Sequence, residues 1–341
     1  MATWLQRVGA MFSGHAGASG VAVPKAPSAP TAETARTAPV ARTAPIAATT
    51  PTAVEARAKA ITAPVPEVVL DLQPRFLAWL FGHRLDDALH HGEQRLLDEL
   101  DALIAAKESL ATLLPRAPAV IPQLMNSLRD ESQSTDALAQ RVARDPHLVI
   151  EVIRMANSAQ NRGNAPVTDI AEAIRRLGLG GLHRAILRVV LKPMFDGHGA
   201  SLTARCTQRL WQHSEAKAEA CMQEAKARGL DPFEGYLAGL MHNVGWTAAL
   251  RALDRIEPQP PAQLSLAFAA GIEARRDILF AALATSWQLT AAISALAAEL
   301  QQRGLSLAQS MLGQALRSAD QYATMAMLAP PASPGALPPV A

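Results

Sequence analysis

The sequence predicts an all-α globule. Three observations carry that expectation. From residue 115 to about residue 300, apolar residues recur at helical spacing, and no strand-like alternation occurs. Alanine and leucine are abundant while aromatics make up only 4% of the chain, a composition that leans toward helix. The periodic runs also end at recognisable stops, among them Pro146, Gly178 and Pro193. Short connections between such runs imply neighbouring helices packed on one another.

The elements follow in order. Residues 13–64 hold no leucine and no aromatic and are built largely from Ala, Pro and Thr, with the echo "ARTAPV", "ARTAPI". Such a segment cannot bury enough apolar surface to offset its chain entropy, so 1–68 is read as a disordered tether. The tail 329–341 reads the same way. In "LDLQPRFLAWLFG", Phe76, Leu77, Trp79, Leu80 and Phe81 form an apolar cluster, which either packs on the chain's own body or serves as a docking peptide. Packing is the expectation. Next, Leu96, Leu100, Leu103, Leu110 and Leu114 follow a 3–4 spacing, broken only at Lys107, and predict an amphipathic helix. Core packing is expected of it, with a helix-mediated dimer as the alternative.

Further along, "STDALAQRVARDP" opens at a Ser/Thr cap and stops before Pro146. "HLVIEVIRMANSA" aligns Val149, Val152, Ile153 and Ala156. "TDIAEAIRRLG" starts at a Thr168 cap and ends at Gly178, a natural left-handed stop. "GLHRAILRVVL" follows and ends at Pro193. Residues 202–228 form one long helix with Leu202, Cys206, Leu210, His213, Ala216 and Ala220 on a stripe. "DPFEGYLAGLMHNVG" takes Asp231 as cap and Pro232 at its first position. Two more helices span about 262–285 and 287–303.

Bulk properties exclude several function classes. The 341 residues, 49% of them hydrophobic, can bury a sizeable core in one or two domains. A formal net charge of +2, with scattered basic residues, advertises neither nucleic acid nor a membrane. Arg175, Arg176, Arg184 and Arg188 could form a patch, but a solvated face is expected, so nucleic acid is disfavoured. Cys206 and Cys221 share one predicted helix, roughly 22 Å apart at about 1.5 Å per residue, which excludes a bond between them. That fits a reducing, cytoplasmic setting. "MATWLQRVGAMF" is interrupted by Gln6 and Arg7 and is not expected to be a secretion signal, and no run of about 18 apolar residues predicts a membrane span.

The residues that could carry chemistry are few. His213 lies on the apolar stripe of its helix. His242 shares a face with Gly235, Ala238 and Gly239, so its helix can approach a neighbour closely. Both rings are expected to be buried and hydrogen-bonded. A hydrolytic metal would need carboxylates beside them. Asn243 is neutral, while Asp254 and Asp277 read as isolated carboxylates. Ser214 beside His213 faces elsewhere on the helix and makes a poor nucleophile–base pair. "GLGGL" lacks the strand before it and the lysine after it that a phosphate loop needs.

Six short pieces then come in a fixed order: "LPRAP" at 114–118, "ARDPHL" at 143–148, "RMANSA" at 154–159, "AIRRLGLGGL" at 173–182, "LWQHS" at 210–214 and "LAGLMHNVG" at 237–245. In these the chain resembles the HDOD family, the HD-related output domain. The resemblance covers roughly residues 110–305. It implies a multi-helix, HD-like bundle, related to metal-dependent phosphohydrolases but without their full ligand set. On that resemblance, His213 and His242 stand at the enzymes' two histidine positions, and Asn243 stands where a metal-bridging aspartate would be. Arg276 falls about where a further histidine is expected. Pro115, Asp145, Pro146, Asn157, Ser158, Gly178, Trp211, Gly239 and Gly245 are the structural motif positions. Asn157 should cross-link its helix end through backbone hydrogen bonds, Trp211 should be core, and Asp145 with Pro146 should set a helix junction.

The expected layout is a tether (1–68), a helical extension (69–112), the HDOD domain (113–305), a helical segment (306–328) and a tail (329–341). The resemblance implies a bacterial signalling output module that binds a protein partner or a nucleotide second messenger without catalysis. No metal and no cofactor are expected. The alternative is a residual metal-dependent phosphohydrolase acting on nucleotides or cyclic dinucleotides.

Overall fold

The computed structural model describes residues 72–106, 140, 142–158, 166–259, 263–287 and 289–329. Ten α-helices lie among them: α1 (Leu72–Phe81), α2 (Glu93–Ala105), α3 (Pro146–Ala156), α4 (Ile170–Phe195), α5 (Leu202–Ala227), α6 (Pro232–His242), α7 (Val244–Ile256), α8 (Leu266–Trp287), α9 (Ala291–Arg303) and α10 (Met311–Leu328), with a 3-10 turn at Leu305–Leu307. No strand occurs among the described residues, and a single bridge joins Asp86 to Ser265. The all-α expectation holds. The tether, Leu110, Leu114, Pro115, most of the 134–146 helix and the tail fall outside the described residues.

Side-chain caps set many of the boundaries. Asp145, Ser201, Asp231, Thr290 and Ser310 each accept a backbone N–H at the start of their helices, satisfying donors that the helix itself cannot. Asp145 takes His147 and Leu148, with Pro146 at the first helical position. The cap of α4 is Asp169, not Thr168, because the Asp169 carboxylate accepts the Glu172 N–H at 2.8 Å. Gly178, at φ 66°, breaks α4 as expected, yet the helix resumes and passes Pro193 to end at Phe195. Pro193 sits in the last turn, where little helix remains to lose. On α3 the buried stripe is Leu148, Val152, Met155 and Ala156, while Val149 and Ile153 pack at its edge.

The core is built around α5, which packs against α6 on one side and α10 on another. Two glycines permit the close approach of α6. A Cβ on Gly239 would lie 2.6 Å from Ala218 Cα, and one on Gly235 would lie 2.7 Å from the Cys221 carbonyl oxygen. Gly245, at the start of α7, plays the same part against α8, since a Cβ there would overlap the Arg276 carbonyl oxygen. The apolar cluster of α1 packs on the body, with Phe76, Leu77, Leu80 and Phe81 buried. Leu96, Leu97 and Leu100 of α2 are buried there too.

Candidate functional site

Asn243 is the hinge between α6 and α7, closing one helix and opening the next. The break turns both His242 and Asn243 inward against α5, where His213 and Lys217 lie one turn apart. All four side chains are fully buried. The Lys217 Nζ stands at their centre. It donates to His242 Nδ1 at 2.9 Å, to Asn243 Oδ1 at 2.5 Å and to Asp320 Oδ1 at 2.8 Å. An ammonium has three protons, and all three are used.

Those contacts fix the direction of every other bond. His242 Nδ1 accepts, so its Nε2–H donates to Asp277 Oδ1 at 3.0 Å. Asn243 Oδ1 accepts, so its Nδ2 donates to His213 Nδ1 at 2.9 Å. His213 Nε2–H then donates to Thr324 Oγ1 at 3.2 Å. Arg276 completes the set: its Nε donates to Asp277 Oδ1 at 2.9 Å, and its Nη1 lies 3.5 Å from Asp320 Oδ2. Asp277 also accepts the Leu305 N–H at 2.7 Å. Two aromatic rings wall the histidines, Phe76 against His213 and Phe280 against His242.

The electrostatics agree with this wiring. Burial, aided by the Lys217 charge, pushes His213 down to about 3 and His242 down to about 4, so both rings are neutral. Burial would raise the two carboxyls, but Arg276 and His242 beside Asp277, and Lys217 and Arg276 beside Asp320, hold both well below the usual carboxylate range. Burial opposes the charge on Arg276, and Asp277, Asp320 and Glu273 outweigh it. Burial also lowers Lys217 from 10.5, while Asp320 works in the opposite sense. The geometry keeps Lys217 charged, because an amine facing three acceptors, one of them a carboxylate, is held as the ammonium. The centre thus carries two cations and two carboxylates. The carboxylates lie nearest its edge among the charged groups, with 14% of the Asp277 side chain and 19% of the Asp320 side chain exposed against 8% for Arg276.

The donor set does not fit a metal ion. A divalent metal takes imidazole lone pairs and free carboxylate oxygens. Here the Nδ1 lone pairs of both histidines already accept N–H donors, and a cation already sits between them. Among the described residues, no group of three or more His, Cys, Asp or Glu side chains is arranged to hold one. Ser214 is not poised as a nucleophile, since its hydroxyl donates to the Leu210 carbonyl at 2.7 Å.

Two readings of the sequence need correction. Asp277 is not isolated, because α8 carries it to His242. Asp254 is not isolated either: it accepts the Leu202 and Thr203 N–H groups and the Thr203 hydroxyl, holding the start of α5. Lys217, Asp320 and Thr324 belong to the centre and are not singled out by the sequence reading. The motif positions fall into structural places. Asn157 clamps Val167, donating to its carbonyl at 2.7 Å and accepting its N–H at 2.8 Å. The Ser158 N–H closes the end of α3 on Met155. Trp211 is buried, with Phe195 at its edge and the Arg188 guanidinium 5.8 Å above its ring.

A separate cleft of about 960 Å³ opens between α3, α4 and α5. Trp211, Phe195, Val189 and Pro193 line it, with Arg154, Arg188 and Lys192 among its polar groups. The arginines of the cleft, Arg154 and Arg188, and Arg175 and Arg184 outside it, do not form an open basic patch. Arg188 pairs with Glu151 and Glu215, Arg154 with Glu151, Arg175 with Glu172, and Arg184 lies 3.9 Å from Glu219.

Comparison with known proteins fits this architecture. The family model described as HDOD domain matches residues 114–303. Helices α1, α2 and α10 lie outside that span, so Asp320 and Thr324 reach the centre from beyond it. A solved HDOD domain protein of unknown function from Geobacter sulfurreducens is 22% identical, with a TM-score of 0.51, over 66% of this chain and 78% of that one. A Shewanella amazonensis SB2B structure, provisionally named a metal-dependent phosphohydrolase, is 20% identical with a TM-score of 0.51, over 68% of this chain and 84% of that one. Both likenesses show the fold. An uncharacterised Treponema pallidum (strain Nichols) protein is 26% identical over 136 residues, which are 39% of this chain and 25% of that protein. The match thus spans about a quarter of that relative's length.

Proposed function

The chain belongs to the HDOD domain family, and from that footing we propose that it is a regulatory signalling module that acts by binding, without catalysis. One observation carries the reading: the Lys217 ammonium fills the point between His242, Asn243 and Asp320 and spends all three protons there. A hydrolytic centre needs an open coordination position and a water at that place. An ammonium offers neither. Binding then falls to the surface, where the cleft above Trp211 presents an apolar floor and polar walls to a partner or a small ligand. A cytoplasmic setting goes with the reading. Both cysteines are buried free thiols, and no helix among the described residues is long and apolar enough to cross a membrane.

Hydrolysis assays test this. The full chain is incubated with bis(p-nitrophenyl) phosphate and with linear and cyclic nucleotides, in Mn²⁺, Mg²⁺ or Zn²⁺. No turnover above the protein-free rate is expected. Metal-dependent turnover that His242→Ala abolishes would sink the reading.

A further inference from the structure

The geometry points to a chain-borne replacement for a metal ion: we propose that the Lys217 ammonium is the resident cation of this centre, and that Asn243 is the neutral partner matched to its single charge. The inference rests on the non-hydrolytic reading above, but it concerns metal affinity and not activity.

Charge matching is the core of the argument. Lys217 and Arg276 are the cations facing Asp277 and Asp320, a two-to-two match, with Glu273 a further carboxylate 3.8 Å from the Arg276 guanidinium that neither exchange below touches. A divalent ion in place of the ammonium would add one positive charge. A carboxylate in place of the Asn243 amide would remove it. The pair Lys217 with Asn243 is therefore electrostatically equivalent to a divalent ion with a carboxylate. A dry site tolerates only the matched combinations, because an uncompensated charge there is costly.

The contact geometry supports the same conclusion. The three acceptors around Nζ are an imidazole nitrogen, an amide oxygen and a carboxylate oxygen, at 2.9, 2.5 and 2.8 Å. With the amide made a carboxylate, they become a nitrogen–oxygen donor set of the kind that divalent transition metals take, at roughly 2.0–2.2 Å. The required contraction is about 0.3–0.9 Å. Lys217 grows from α5, which α6 approaches through Gly239, so the backbone that aims these donors does not depend on the lysine side chain.

The test is a pair of exchanges. In Lys217→Ala/Asn243→Asp, the ammonium goes and a carboxylate appears. Without metal this variant carries an excess of two negative charges and should melt well below the parent chain. Millimolar Mn²⁺ or Zn²⁺ should raise its Tm by at least roughly 5 °C, the scale set by tight binding to the folded state alone. Calorimetric titration should find one site, and the parent chain should not respond. If the double variant folds only in the presence of metal, that is the same result. Lys217→Ala alone guards against a chain that does not fold either way. Its vacated space should accept n-propylammonium, with a rise in Tm that n-propanol does not give. The inference is overturned if the double variant gains no more from metal than the parent does, or if the single variant responds equally to amine and alcohol. Either failure would leave the hydrolysis assays standing, so the two readings fall separately.

Discussion

Replacing Lys217 with methionine removes the ammonium and keeps most of the side chain's length. Three acceptors then lose their donor: His242 Nδ1, Asn243 Oδ1 and Asp320 Oδ1. Breaking a buried ion pair by deleting one partner costs about 3–5 kcal/mol, because the other charge stays behind. Two features place the present case at the low end. The Asp320 side chain keeps 19% of its surface exposed, and Arg276 remains 3.5 Å from its other oxygen. The expected loss is about 3 kcal/mol, a large part of a typical total of about 5–15. For a chain of this size that is a fall in Tm of about 6–12 °C. Urea unfolding with an unchanged slope would measure it. A double-mutant cycle with Asp320→Leu separates the pair from the packing. The coupling should reach about 2 kcal/mol, since removing both charges leaves nothing unpaired. A Lys217→Met chain within about 1 kcal/mol of the parent, or strictly additive single losses, would refute the ion-pair argument.

Three further outcomes follow from the same geometry. Asn243→Asp alone gives the centre an unmatched negative charge and deletes the donor to His213 Nδ1, so it should destabilise by about 1–3 kcal/mol in chemical denaturation. Acid should weaken the fold in two stages. His213 and His242, pushed down to about 3 and about 4, titrate near 6.5 when unfolded, so the unfolded chain binds more protons below that pH. Their contribution is complete above about 6.5 and is lost as pH falls from there through about 4 for His242 and about 3 for His213. Asp277 and Asp320, depressed well below 3.8, add a further loss below about pH 4. A urea midpoint that stays flat from neutral pH down to 4.5 would contradict this. Gly245→Ala should cost about 1–3 kcal/mol or more, because its Cβ overlaps the Arg276 carbonyl and must push α7 off α8; calorimetry showing no loss would count against that contact.

Much of the fold is legible in the sequence because helix periodicity and caps are local signals. Asp231 with Pro232 and the Gly178 break can be read from a few neighbouring letters. Even the close approach of α6 follows from the spacing of Gly235 and Gly239 with His242. The centre is only half legible. His213, His242 and Asn243 stand out, and Arg276 can be noticed as a cation at an unexpected place. Lys217 is hidden by its type, since lysine is rarely buried and "SEAKAEA" looks solvated. Yet it lies four residues after His213, on the same face, and a stripe drawn through His213 and Ala216 passes one residue short of it. Asp277 looks isolated because its partner is 35 residues away in sequence. Asp320 and Thr324 are harder still. They sit on α10, past the end of the family-like motifs, and only tertiary packing brings that helix to α5.

The most direct measurement is a crystal structure of the full chain grown in millimolar Mn²⁺, with anomalous data. The account predicts no anomalous peak at the centre, with Lys217 Nζ in hydrogen-bond contact with His242, Asn243 and Asp320. An anomalous peak between His242 and Asp320, with the Lys217 side chain swung away, would contradict it.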